Sequence, residues 1–206
     1  MLLKIVQVGV PVLRNGTRLL TRDEVKNAEI QQLIEWMRET MREAPGVGLA
    51  APQVDVPLRL AVIEDIADVP EKERKPVPFH VLINPQLTLG AGIVEHYEGC
   101  LSVDGFQALV PRAQAVTVEA IDHHGDPVKI EACGWYARIL QHEIDHLDGT
   151  LYIDRMHTRT FTTIRNLTQM LTGSEQVAGS EGDKAARGGD APQPVLLPAE
   201  AGRRDP

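Results

Sequence analysis

Apolar residues recur along the chain in three rhythms. Ile30, Leu33, Ile34, Met37 and Met41 follow helical spacing, an apolar stripe on an otherwise charged segment. Ahead of it, Thr21-Arg22-Asp23-Glu24 has the spacing of a capping box and predicts the start of that helix; Pro45-Gly46 predicts its end. Two unbroken runs, Leu60-Ala61-Val62-Ile63 and Val81-Leu82-Ile83, predict buried strands, and Glu64 to Pro78 between them, with three prolines and mixed charge, predicts a solvated loop. Strict alternation at Val116, Val118 and Ala120, and again at Val128, Ile130 and Ala132, predicts an antiparallel pair across a turn at Asp122-His123-His124-Gly125-Asp126. A second helical stripe, Trp135, Ile139, His142 and His146, lies between Gly134 and Gly149. Strands come first and this helix packs on them later, so the expected class is α+β, antiparallel sheets around a central helix.

Composition narrows the picture without changing it. The length of 206 residues suits one domain. A net charge of −8 argues against a broad nucleic-acid-binding face. Two cysteines give no disulfide framework, which fits a reducing compartment, and no apolar run is long enough to span a membrane. The opening residues are too short for a secretory signal, so the expectation is a cytoplasmic protein, or an organellar one from which a transit peptide has been removed. From Gly173 to Pro206 the chain is rich in glycine and proline and lacks aromatics, which predicts a disordered tail after a catalytic domain spanning residues 1–172.

The second stripe carries chemistry. In His142-Glu143-Ile144-Asp145-His146 the two histidines, four apart, share a helix face and can reach one metal ion, with Glu143 at its edge as a proton acceptor. Tyr152 stands where a metzincin would place a third histidine, and no convincing glutamate follows downstream. Cys100, inside Glu98-Gly99-Cys100-Leu101-Ser102, is the remaining donor, giving a Cys-His-His set compatible with Zn²⁺, Fe²⁺, Co²⁺ or Ni²⁺. Cys133 has no motif around it and reads as structural, and the other histidines read as surface or packing residues.

Three ordered segments now resemble one family. Gly46-Val47-Gly48-Leu49-Ala50-Ala51-Pro52-Gln53, Glu98-Gly99-Cys100-Leu101-Ser102 and Gln141-His142-Glu143-Ile144-Asp145-His146 are similar to the signature motifs of peptide deformylase, and the similarity runs from about Val6 to Asn166. The segments 103–112 and 159–162 resemble the organelle-type branch in particular. Asp104 and Gln107 depart from many bacterial members, which have proline and arginine there.

The resemblance implies an enzyme that removes the formyl group from N-terminal formylmethionine of newly made peptides, with a possible station near the ribosomal exit tunnel. It implies Cys100, His142 and His146 as ligands of one divalent metal, Fe²⁺ first and Zn²⁺, Ni²⁺ or Co²⁺ as alternatives. It implies Glu143 as general base, with the Gln53 amide and the Leu101 backbone N–H as donors to the oxyanion. Gly46, Val47 and Gly48 would lie along the cleft, and Val47, Trp135 and Ile139 would line a pocket for the methionine side chain. Two other expectations stand beside it: a related amidase for another acyl group, and a metal-stabilised binding module. The module has no use for a spare base.

Overall fold

The computed structural model describes residues 1–69 and 74–177. After a 3₁₀ turn at Pro11–Arg14 come two helices, α1 (Arg22–Val25) and α2 (Ala28–Glu43). Strand β1 (Gly48–Ala50), a 3₁₀ turn (Ala51–Val54), β2 (Leu60–Asp65) and β3 (Val77–Leu89) follow. Two hairpins come next, β4 (Ile93–Cys100) with β5 (Val103–Ala113) and β6 (Ala115–Ile121) with β7 (Pro127–Cys133). Helix α3 (Gly134–Leu147), α4 (Tyr152–Arg155), β8 (Thr162–Thr163) and α5 (Ile164–Val177) complete the order. All strand pairs are antiparallel, in a five-stranded sheet β1-β2-β3-β6-β7 and a three-stranded sheet β4-β5-β8. The class is α+β.

The unbroken apolar runs have a simple cause. Strand side chains alternate between faces, so a run is needed where both faces are covered. Leu60, Val62, Val81 and Ile83 join the core under α2, whereas Ile63 and Leu82 join the core under α3. The large sheet thus lies between α2 and α3. A third core, with Leu13, Val110, Leu151 and Tyr152, lies against the small sheet and includes Cys100.

Several expectations need correction. The capping box at Thr21 is present, with Thr21 and Glu24 exchanging hydrogen bonds, but it opens the four-residue α1 rather than the amphipathic helix. The chain breaks at Asn27, whose extended backbone starts α2 anew without a side-chain capping bond. The loop after β2 is shorter than expected, because Glu64 and Asp65 belong to β2 and Val77 and Pro78 to β3. Residues 173–177, expected in the tail, continue α5, and the rest of that tail lies outside the described residues. The β4–β5 hairpin, turning tightly at Leu101-Ser102, had no alternation strong enough to announce it.

Candidate active site

Helix α3 begins at Gly134 (φ +59°) beside Cys133, an exposed residue that occupies its N-cap position, and ends at Leu147, two residues before Gly149 (φ +72°). Within it, His142 and His146 lie one turn apart with ring centroids 5.0 Å apart. The hairpin turn after β4 delivers Cys100 to the same point, its Sγ 3.2 Å from His146 Nε2. The donor atoms of Cys100, His142 and His146 all lie within 4.8 Å of one another. Among the described residues this is the one cluster of three His, Cys, Asp or Glu side chains able to hold a metal, and the other histidines stand outside it. A thiolate with two imidazoles, so spaced, fits a borderline-soft divalent ion whose bonds to such donors are about 2.0–2.3 Å long.

Two of the three donors are held from behind, while His146 Nδ1 is buried without a hydrogen-bond partner. Cys100 Sγ accepts from the Ser102 N–H at 3.4 Å and from Gln53 Nε2 at 3.6 Å, two donors that fix the position of the sulfur. His142 Nδ1 lies 3.1 Å from Glu98 Oε2, which leaves its Nε2 as the metal-facing nitrogen. Glu98 is itself gripped by Arg112, whose Nε and Nη2 each donate to it at 2.9 Å. The third Arg112 nitrogen donates to Asp145 on α3 at 2.6 Å, and Arg155 adds two bonds of 2.7 Å to the same carboxylate. Burial alone would raise Glu98, but the hydrogen bonds from His142 and Arg112 outweigh it and hold the carboxyl at about 2. Glu98, Arg112 and Asp145 are all buried.

Glu143 differs from these carboxylates. It is buried without a cation against it, its Oε2 has no hydrogen-bond partner, and burial pushes it up to about 7. A carboxyl poised there can hold or release a proton near neutrality. Gly48 makes room for it: a Cβ on Gly48 would lie 2.3 Å from Glu143 Oε1. A side chain at Gly46 would likewise press on Leu101, at 2.9 Å from its Cδ1.

All the sequence-derived site residues meet in one cleft. Gly46, Val47, Gly48, Gln53, Cys100, Leu101, Trp135, Ile139, His142 and Glu143 line it, and His146 stands behind Cys100. Gln53 is fixed because its Oε1 accepts from the Ala50 N–H at 2.9 Å, which turns its Nε2 towards Cys100 and Ser102. The Leu101 carbonyl accepts from Gln7 Nε2 at 2.9 Å, tying the turn to the N-terminal segment.

Sequence reasoning assigned no role to Glu98, Arg112, Arg138 or Asp65, and marked Gln107 only as a departure, with Asp104, that bears on the charge near the substrate cleft. Glu98 and Asp145 sit inside the quoted motifs, so their place was visible but their partners were not. Gln107 is buried and brings a neutral amide to the cleft, whereas Asp104 is exposed. Trp135 donates its indole N–H to Asp65 at 2.7 Å, and Arg74 clamps the same carboxylate with bonds of 2.7 and 2.9 Å. The Arg74 and Arg138 guanidinium carbons lie 4.6 and 4.3 Å from the Trp135 ring centroid, within cation–π range.

The comparisons with known proteins agree with this geometry. A family model described as polypeptide deformylase matches residues 2–161. The chain is 48% identical over 173 residues to the chloroplastic peptide deformylase 1A of Solanum lycopersicum, covering 79% of this chain and 62% of that one. It is 50% identical over 167 residues to peptide deformylase 1 of Streptomyces coelicolor, covering 78% and 76%. A solved class I type b peptide deformylase from Acinetobacter baumannii, with Met-Ala-Ser bound, aligns with a TM-score of 0.72 at 30% identity, covering 76% of this chain and 99% of that one.

Proposed function

Since the chain belongs to the polypeptide deformylase family, we propose that it hydrolyses the N-formyl group from the formylmethionine that opens newly made proteins, releasing formate. The observation that carries this reading is the meeting of Cys100, His142 and His146 with the unpaired buried carboxyl of Glu143 in one cleft. Cys100, His142 and His146 would hold one divalent metal, Fe²⁺ in the first instance and Zn²⁺, Ni²⁺ or Co²⁺ as alternatives. That ion supplies Lewis acidity and makes water a stronger acid.

The chain's own residues do the rest. Glu143 takes a proton from the attacking water and returns it to the departing amine nitrogen, a shuttle suited to a carboxyl held at about 7. Gln53 Nε2 and the Leu101 N–H donate to the oxygen on which charge develops. The peptide backbone lies along Gly46–Gly48, where missing side chains allow close approach. Val47, Trp135 and Ile139 receive the methionine side chain.

No described helix is long and apolar enough to cross a membrane. A cytoplasmic setting, or an organelle after loss of a transit peptide, and work on nascent chains beside the ribosome complete the reading. A second reading, an amidase for another short acyl group, draws on the neutral amide of Gln107 in the cleft.

The test is formate release from formyl-Met-Ala-Ser by Fe²⁺-loaded protein kept from oxygen, beside the N-acetyl peptide. Release from the formyl peptide alone is expected, and preference for the acetyl peptide would install the second reading. Glu143→Ala should lower turnover by about 10²–10⁴ while one metal per chain stays bound. Near-normal turnover in that variant would remove Glu143 from its role.

A further inference from the structure

Arg138 is a buried cation that the reaction outlined above does not use. It is 7% exposed and lines the cleft on α3, one turn before His142 and between Trp135 and Ile139. Buried arginines are ordinarily paired with carboxylates. No hydrogen bond or salt bridge joins Arg138 to a described residue; it lies over the face of Trp135 and feels the Glu98 carboxylate only through space. Glu98, which also lines the cleft, is already occupied by Arg112 and His142. A guanidinium with donors to spare, walled into a cleft, calls for an oxygen acceptor that arrives with the ligand.

The place of Arg138 identifies the part of the ligand. Its neighbours Trp135 and Ile139 form the wall assigned above to the first side chain, so this inference rests on that reading. A methionine thioether is only a weak acceptor and makes poor use of five N–H donors. Its oxidised form is different: the sulfoxide oxygen is strongly polar, on a side chain of nearly the same length and shape. An apolar pocket disfavours that oxygen because it is desolvated without a partner. A guanidinium supplies a charge-assisted bond there, roughly twice as strong as a neutral one. We propose that Arg138 forms a subsite for an oxygen acceptor, through which the cleft also processes N-formyl peptides whose first residue is methionine sulfoxide. Oxidation of the formylated methionine would then leave deformylation open.

The experiment compares metal-loaded wild type, Arg138→Met and Arg138→Lys on formyl-Met-Ala-Ser, its sulfoxide and its norleucine counterpart. Methionine at 138 retains an unbranched stem of similar reach against Trp135. The readout is the ratio of kcat/KM for sulfoxide over thioether. Arg138→Met should lower that ratio at least about tenfold, with norleucine following the thioether, and lysine should restore part of it. A parallel fall for all three peptides, or a ratio that moves less than tenfold, overturns the proposal. Binding of the products Met-Ala-Ser and Met(O)-Ala-Ser, measured by calorimetry, gives the same ratio without turnover. Absence of formate from the thioether peptide in wild type would instead count against the deformylase reading, and the binding ratio would still decide on Arg138.

Discussion

Helices α2 and α3 are of similar length and flank the same sheet, yet they bury different things. On α2 the buried side chains are Ile34, Met37, Thr40 and Met41, the apolar stripe of an ordinary amphipathic helix plus one threonine bonded to its own turn and to the Leu3 N–H. On α3 the buried set includes Arg138, Gln141, Glu143, Asp145 and His146. Burying such groups costs free energy unless each is paired. Most are: Gln141 bonds the backbone of Ala113 in both directions at 2.9 Å, and Asp145 takes two arginines. Glu143 Oε2 and His146 Nδ1 have no hydrogen-bond partner and Arg138 has no carboxylate bonded to it; Glu143 and Arg138 both line the cleft. The contrast teaches where to look for chemistry: at the polar side chains that the fold buries and then leaves without a partner.

Substitutions can break this contrast, and the largest effect belongs to α3. Arg112→Met leaves Glu98 buried without its cation and strips Asp145 of one of its two arginines, which should cost about 3–5 kcal/mol in denaturant unfolding. His142 then loses its oriented partner, and metal retention against a chelator should weaken by about 10–100-fold. A variant as stable as wild type would mean that the network is ornamental. Next comes Met37→Ala on α2, which opens a cavity in a wholly apolar core and should cost about 2–5 kcal/mol. Turnover per folded molecule should hold near the wild-type value, since Met37 itself does not line the cleft. A fall in kcat would show that this core transmits strain. The smallest effect is expected for Glu35→Ala, which breaks an exposed contact of 3.9 Å with Arg38; melting curves should differ by less than ~0.5 kcal/mol.

What could be read in the sequence follows the same division. Local features were legible because they depend on spacing alone: the α2 stripe, the histidines on one face of α3, the turn at His123 and His124. Cys100 was legible because few other donors existed and because its motif resembled a family's. The charged layer was not. Arg112 meets Glu98 and Asp145 only after the β4 and β5 strands pair in one particular register, and nothing in spacing encodes that. The tie between Trp135 and Asp65, seventy positions apart, was hidden for the same reason. The capping box misled in the opposite direction, since a correct local signal opened a helix too short to be the expected one.

Gly48 couples two distant positions of the chain. Its missing side chain and the Glu143 carboxyl occupy what is in effect one place. A side chain entering at 48 must push that carboxyl aside, so a change at either position is felt at the other, and Gly48→Ala acts on the buried acid without altering the acid itself.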